Sequence, residues 1–287
     1  MKKTNILPDK HILRITIIFI IVMMIIGTFF DLSISKALYD QNNIFGNILA
    51  AFGEYPSSLG FVASGTMIII GRNKEHKVKN ILQIILGIWF IISGSLMAAM
   101  LPTNYLDIPS ILSIIIGLTC SILTILLITK LAKNTDRQTI IKLASVFIIV
   151  IFANIIIINI IKIPWGRARY RLVAVNDQAY FMPWYQPGTT LKDTLVAQGV
   201  LKEEFKSFPS GHTANASCML LISLLPALSP KLANKKNILF ITGFIWTLLV
   251  ALSRIIMGAH YLTDTMIALL VGLIVFIFVT KLIFSSR

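Results

Sequence analysis

Apolar residues in this chain come in long runs, and polar residues are confined to the intervals between them. Eight apolar segments can be marked, at 13–30, 57–71, 80–101, 110–130, 139–161, 212–229, 237–257 and 262–283. An α-helix needs about 20 residues to cross about 30 Å of hydrocarbon, and these lengths fit. Many segments are rich in Ile, a modest helix former in water. In a bilayer the need to satisfy every backbone hydrogen bond decides instead, and it leaves only helices or closed barrels. No alternating ten-residue pattern indicates a barrel. The pattern therefore predicts an all-α, polytopic transmembrane bundle of about eight spans. The second segment is the weakest, being short and containing Gly60 and Gly65; glycine is common where membrane helices pack closely, so it is retained.

Charge in the loops sets an orientation. Lys2, Lys3, Lys10 and Arg14 precede the first span, which places the N-terminus in the cytoplasm. The loops that then fall inside hold Arg72, Lys74, Lys77 and Lys79; Lys130, Lys133, Arg137 and Lys142; and Lys231, Lys235 and Lys236. The C-terminus, with Lys281 and Arg287, also falls inside. The outside loop near 102–109 carries only Asp107, and that at 31–56 sets Lys36 against Asp31, Asp40 and Glu54. One loop breaks the rule. Residues 162–211 are assigned outside yet hold Lys162, Arg167, Arg169, Arg171, Lys192, Lys202 and Lys206.

Composition agrees with the pattern. Of 287 residues 56% are hydrophobic and 13% charged, too few charges to cover a soluble surface, and mean hydropathy is +0.83. The net charge of +14 would raise nucleic acid as a partner in a soluble protein. Here the cations sit in short loops, so membrane orientation and anionic lipid account for them, and no nucleic-acid partner is expected. Cys120 and Cys218 lie inside apolar runs without metal-like spacing and read as buried small residues. The basic N-terminus leads into a long apolar run with no small-residue cleavage site, which reads as a retained first helix. Asn215-Ala216-Ser217 has the form of a glycosylation sequon but lies within a span, and His11 and His76 sit in basic cytoplasmic loops as solvated side chains.

Three stretches carry candidate chemistry. At the end of the fifth span, Lys162-Ile-Pro-Trp-Gly-Arg167-Ala-Arg169-Tyr170 contains Pro164 and Gly166, which disfavour one continuous helix. The chain is expected to turn there and fold its cations over one spot, although taken alone the stretch also reads as an interfacial anchor. At the start of the sixth span, Phe205 to His212 offers Ser210 as an N-cap, Gly211 with an unobstructed backbone, and His212 at a helix end suited to anions. An ordinary cap with an interfacial histidine is the alternative. In the third, Arg254 ends the seventh span, and His260 and Asp264 open the eighth one turn apart. A carboxylate so placed can fix an imidazole tautomer, and ionisable residues this close to the bilayer are expensive and functional by default, with a structural His–Asp pair as the alternative. Under the charge-based topology all three stretches fall outside. Cations to neutralise oxygens, one histidine to attack and one to protonate a leaving group suit phosphoryl transfer, and no His/Cys/Asp clustering calls for a metal.

These stretches resemble the three-part signature of the type 2 phosphatidic acid phosphatase superfamily of membrane lipid phosphatases. That signature is Lys, six residues, Arg-Pro; then Pro-Ser-Gly-His; then Ser-Arg, five residues, His, three residues, Asp. Pro209 to His212 match the second part, and Ser253, Arg254, His260 and Asp264 the third. Lys162 and Arg169 match the first, but Tyr170 stands where proline is usual. The likeness covers roughly 139–283. It implies a six-helix catalytic core over 110–287, with 1–110 as an N-terminal part of about three spans. It further implies His260 as nucleophile forming a phosphohistidine, Asp264 as its orienting partner and His212 as general acid. Lys162, Arg169, Arg254, Ser210 and Gly211 would hold the phosphate, without cofactor or metal, and Arg167 is added here as a cation standing behind them.

The expected substrate is a membrane lipid phosphate or diphosphate, with phosphatidate, phosphatidylglycerophosphate and polyprenyl diphosphate as candidates that the sequence does not rank. A phosphotransferase would use the same residues with another acceptor. An anion transporter is a further alternative, but no inverted repeat joins the two halves. Soluble haloperoxidases share the phosphate-site residues, and the apolar spans count against them. The aromatic run Tyr180-Phe-Met-Pro-Trp184-Tyr185-Gln-Pro187 in the long outside loop reads equally as a lid over the site or as an interfacial belt.

Overall fold

The computed structural model describes residues 6–285; Lys2, Lys3 and Arg287, used above for orientation, lie outside the described residues. These form a helical bundle without strands: α1 Lys10–Leu38, α2 Ile44–Phe52, α3 Tyr55–Ile70, α4 Lys77–Met100, α5 Ser110–Ala132, α6 Arg137–Trp165, α7 Tyr170–Val173, α8 Thr189–Ala197, α9 Gly211–Ser217, α10 Lys236–Ile256 and α11 Leu262–Ser285. Among the described residues seven helical stretches are long and apolar enough to cross a membrane, and the protein is a multi-pass membrane protein. The remaining segment of the eight is α3. Its 16 residues reach only about 24 Å, and most of its side chains are buried against α4, α5 and α6 rather than facing lipid. Gly65 explains how it fits: a Cβ there would collide with the Gly87 carbonyl of α4, so the two backbones touch. By contrast α1, α4 and α5 present rows of exposed Ile and Leu, the surface expected of helices in contact with lipid tails.

The sixth span changes helix type partway. α9 continues as a 3₁₀ helix over Cys218–Leu228. The Ala214 carbonyl, which a regular helix would offer to the Cys218 N–H, is taken by side chains instead. It accepts from the Ser217 hydroxyl at 2.6 Å and from the Asn154 amide at 3.4 Å, while the Cys218 N–H turns to Asn215 and Ala216. The greater rise of a 3₁₀ helix stretches this 18-residue span to about 32 Å instead of about 27 Å.

Two helix limits differ from the sequence expectation, and both matter. α1 runs to Leu38, so Asp31 is buried inside a helix instead of lying in a loop. α6 runs to Trp165, so Lys162 belongs to its last turn; Gly166, at φ 69°, then takes the left-handed conformation that ends the helix. Lys162 and Arg169 thus sit on separate elements, as the Pro164 and Gly166 pattern predicts. Loops assigned to the cytoplasm meet one another: Asp9 pairs with Lys236 at 3.0 Å, Arg137 donates to the Gly71 carbonyl and Thr135 to that of Leu228. The N-terminal helices are also woven into the rest, α1 against α11 and α3 against α6.

Candidate functional site

The three stretches converge through backbone contacts. The Ser210 N–H donates to the Asp264 carbonyl at 3.0 Å, and the Ser207 N–H donates to that of Arg167 at 3.1 Å. Ser210 caps α9, its hydroxyl accepting from the Thr213 N–H at 3.3 Å. Gly211 leaves room beside it for Lys162, whose Nζ would lie 3.3 Å from a Cβ at that position. Tyr170 occupies the first position of α7, with Arg169 as N-cap. Proline is favoured at a helix's first position because its missing N–H is unpaired there anyway. Tyrosine therefore preserves the turn, and its ring packs edge-on against Tyr39 at 5.2 Å.

His260 is 1% exposed. Its Nδ1 lies 2.5 Å from the Ser207 carbonyl, an acceptor, so Nδ1 carries the proton and Nε2 keeps its lone pair. Asp264 is 3.9 Å from Nδ1, too far for a hydrogen bond. The direct orienting contact expected of Asp264 thus belongs to the Ser207 carbonyl. Asp264 acts one step back: its Oδ2 accepts from the Ser207 hydroxyl at 2.5 Å and the Tyr261 N–H at 2.8 Å, and its Oδ1 pairs with Arg167. Burial, and after it the cations Lys162, Arg169 and Arg254, hold the His260 imidazole well below its usual range, so it stays neutral.

Arg167 is fully buried and does not face the site. It pairs with Asp264 and with Asp31 of α1 at 2.9 Å, donates to Thr263 at 3.0 Å and to the Met182 carbonyl at 2.9 Å, and lies over the Tyr261 ring at 4.1 Å. Arg169 is held by Glu203 at 2.9 Å, with Glu204 at 3.9 Å. Among the described residues Lys162 and Arg254 form no ion pair, and both are buried. Arg254 touches the Met257 sulfur at 3.4 Å and stands 5.4 Å from the Tyr105 ring centroid. Two uncompensated buried cations cost several kcal/mol in isolation, and an incoming dianion would relieve that.

His212 Nδ1 faces Glu54 Oε1 at 3.2 Å, while its Nε2 is buried with no partner. Sequence reasoning missed Glu54, Asp31, Tyr105 and Ser207. The signal for the first two was present: both are acids flanking apolar segments on the face assigned outside. Among the described residues no group of three or more His, Cys, Asp and Glu could hold a metal ion. In the aromatic run of the long loop, Trp184 donates to Thr28 and stacks near Phe208, while Tyr180 and Tyr185 remain exposed.

A multi-pass helical bundle that gathers two histidines, two unpaired cations and a capped helix start at one end belongs to a recognisable class. The PAP2 superfamily model matches residues 142–287, half the chain, and the chain belongs to that superfamily. It is similar to a phosphatidylglycerophosphatase B of Bacillus subtilis (strain 168), 37% identical over 86 residues. That stretch is 28% of this chain and 40% of the relative, so the likeness covers less than half the relative's length. No solved structure matches the chain.

Proposed function

We propose that the protein is an integral membrane phosphatase that hydrolyses phosphate monoesters or diphosphates of lipids through a phosphohistidine, without a metal, on the extracytoplasmic face. The observation that carries this is the polarity of the His260 ring, with Nδ1 held by the Ser207 carbonyl and the ring neutral in a cationic pocket. Lys162, Arg169 and Arg254, with Ser210 and Gly211, would receive the phosphate oxygens. His260 Nε2 forms a bond to phosphorus as the phosphorus–oxygen bond to the leaving group breaks, and His212 Nε2 gives its proton to the departing oxygen. Water then attacks the phosphohistidine, its proton passing to His212, and inorganic phosphate leaves with both histidines restored.

Two features support a lipid substrate. The superfamily and the named relative are the first. The second is an apolar cavity of about 320 Å³ lined by Tyr55, Leu59, Phe147, Cys218 and Leu225, room for part of a hydrocarbon chain. The test is phosphate release from a panel of lipid phosphates and diphosphates in detergent with excess EDTA, with His260→Ala alongside. Activity that survives EDTA and is lost in the variant is the expected result. Loss with EDTA, or persistence in the variant, refutes the chemistry; release of a phosphorylated acceptor in place of phosphate identifies a transferase.

A further inference from the structure

We propose that Glu54 is a positioning residue for this reaction, holding the His212 ring by Nδ1 and supplying the negative charge that lets it carry the proton given to the leaving oxygen. The inference rests on the phosphatase reading, and it reaches outside the stretch that matches the superfamily, residues 142–287. Glu54 comes from the turn between α2 and α3, whose sequence carries no phosphatase motif.

The geometry is specific. Glu54 Oε1 lies 3.2 Å from His212 Nδ1, and both side chains are 16% exposed. Glu54 is the residue before α3, yet its side chain makes no capping bond to that helix. Asn215, which stands one turn beyond His212 on α9, instead acts on the carboxylate and favours its ionised form. The turn itself is pinned, since Trp246 donates to the Gly53 carbonyl at 3.3 Å. Tyr105 then closes the other side of the imidazole, edge-on with centroids 5.4 Å apart. With Nδ1 engaged, the other nitrogen, Nε2, is buried without a protein partner. That is the atom that must meet a leaving oxygen.

The electrostatics explain why a carboxylate is needed. His212 is faced by Glu54, Tyr105, Lys162, Arg169, Arg254 and His260. Three of these are cations, and each opposes a second proton on the ring. A general acid must carry that proton before transfer. Glu54 is the carboxylate in contact with the ring, and its negative charge offsets the cations most strongly in the protonated state. Burial raises the Glu54 carboxyl above its ordinary range, while Asn215, Arg254 and Lys162 act to lower it. Glu54 and His212 therefore share protons as one unit, and the pH profile belongs to the pair.

The experiment measures kcat, KM and the pH profile of phosphate release from a lipid phosphate in detergent for wild type, Glu54→Gln, Glu54→Asp, His212→Gln and the double variant Glu54→Gln/His212→Gln. Glutamine keeps an oxygen for Nδ1–H but removes the charge. The expected result for Glu54→Gln is a kcat lower by about 10- to 100-fold, KM within about threefold, and an alkaline limb displaced to lower pH. Glu54→Asp should restore part of both. In the His212→Gln background Glu54→Gln should cost nothing further, because its effect passes through the imidazole. Unchanged kcat and pH limb in Glu54→Gln, a change in KM alone, or an added loss in the double variant overturns the proposal. If Glu54→Gln does not give a monodisperse protein, the pH limb of Glu54→Asp decides, and an unmoved limb refutes. A wild type that releases no phosphate overturns the phosphatase reading itself, whereas an active wild type with an unaffected Glu54→Gln overturns only the role of Glu54.

Discussion

Arg167 is the clearest place to test whether the site is held together by charge. It is fully buried between two carboxylates, Asp264 of α11 and Asp31 of α1, and all three of its nitrogens are engaged. The cluster of one guanidinium and two carboxylates carries a net charge of −1. Replacing arginine with methionine keeps much of the volume but leaves two buried carboxylates facing each other with no cation. Removing one partner of a buried ion pair costs about 3–5 kcal/mol. For a chain of this size that corresponds to about 5–8 °C in apparent melting temperature. Asp31→Asn is milder: it leaves a neutral Arg167–Asp264 pair and keeps an oxygen for the Thr263 N–H that Asp31 accepts at 3.0 Å, but it sets an amide N–H where Arg167 now finds an oxygen, so it should lower the melting temperature by less than Arg167→Met does. Placed on Arg167→Met, the same change removes one of two stranded charges and should recover part of the loss, a non-additivity of about 2 kcal/mol. The assay is thermal unfolding in detergent followed by tryptophan fluorescence at a fixed scan rate, with the exposed Asp107→Asn as control. If Arg167→Met melts like wild type, or if the two changes add, the cluster is not held by charge and the reasoning fails.

Other outcomes follow from the same geometry. Because the Ser207 carbonyl, not its hydroxyl, holds His260, Ser207→Ala should lower kcat by less than about tenfold, whereas Asp264→Ala, which removes one of the two carboxylates on Arg167 and frees the Tyr261 N–H, should lower it by about 100-fold or more; equal losses would return the orienting role to Asp264 through the hydroxyl. His260 must be neutral to attack, and burial holds its imidazole well below the usual histidine range, so the acid limb of kcat/KM should lie below about pH 6.5; a limb at or above that value would contradict the burial argument. Tyr170→Pro should retain activity, since the first position of a helix tolerates proline, while losing some thermal stability with the Tyr39 contact; loss of activity in a normally folded variant would refute the account of this substitution.

Much of this protein is legible in its sequence, for physical reasons that act locally. A run such as 139–161 must be a helix because no other single segment satisfies its own backbone in hydrocarbon. Alternating charge in the loops and the spacing of Lys162, Arg169, His212, Arg254, His260 and Asp264 suffice to group the candidate site at one end and to indicate the superfamily. What the sequence could not decide is which partner each side chain meets across the bundle. Asp31 and Glu54 are ordinary loop acids until α1 extends to Leu38 and packs on α11, and until the turn before α3 is carried up to α9. The contact between Asp264 and His260 looks direct at one-turn spacing, yet the backbone of Ser207 comes between them in role because the Phe205–Ser210 loop is drawn in under Arg167 and Asp264. Periodicity and charge act within a helix or across the membrane surface and so can be read along the chain. Pairing between buried polar groups depends on distances of about 3 Å between residues from 53 to 232 positions apart, and only the packed tertiary structure fixes those.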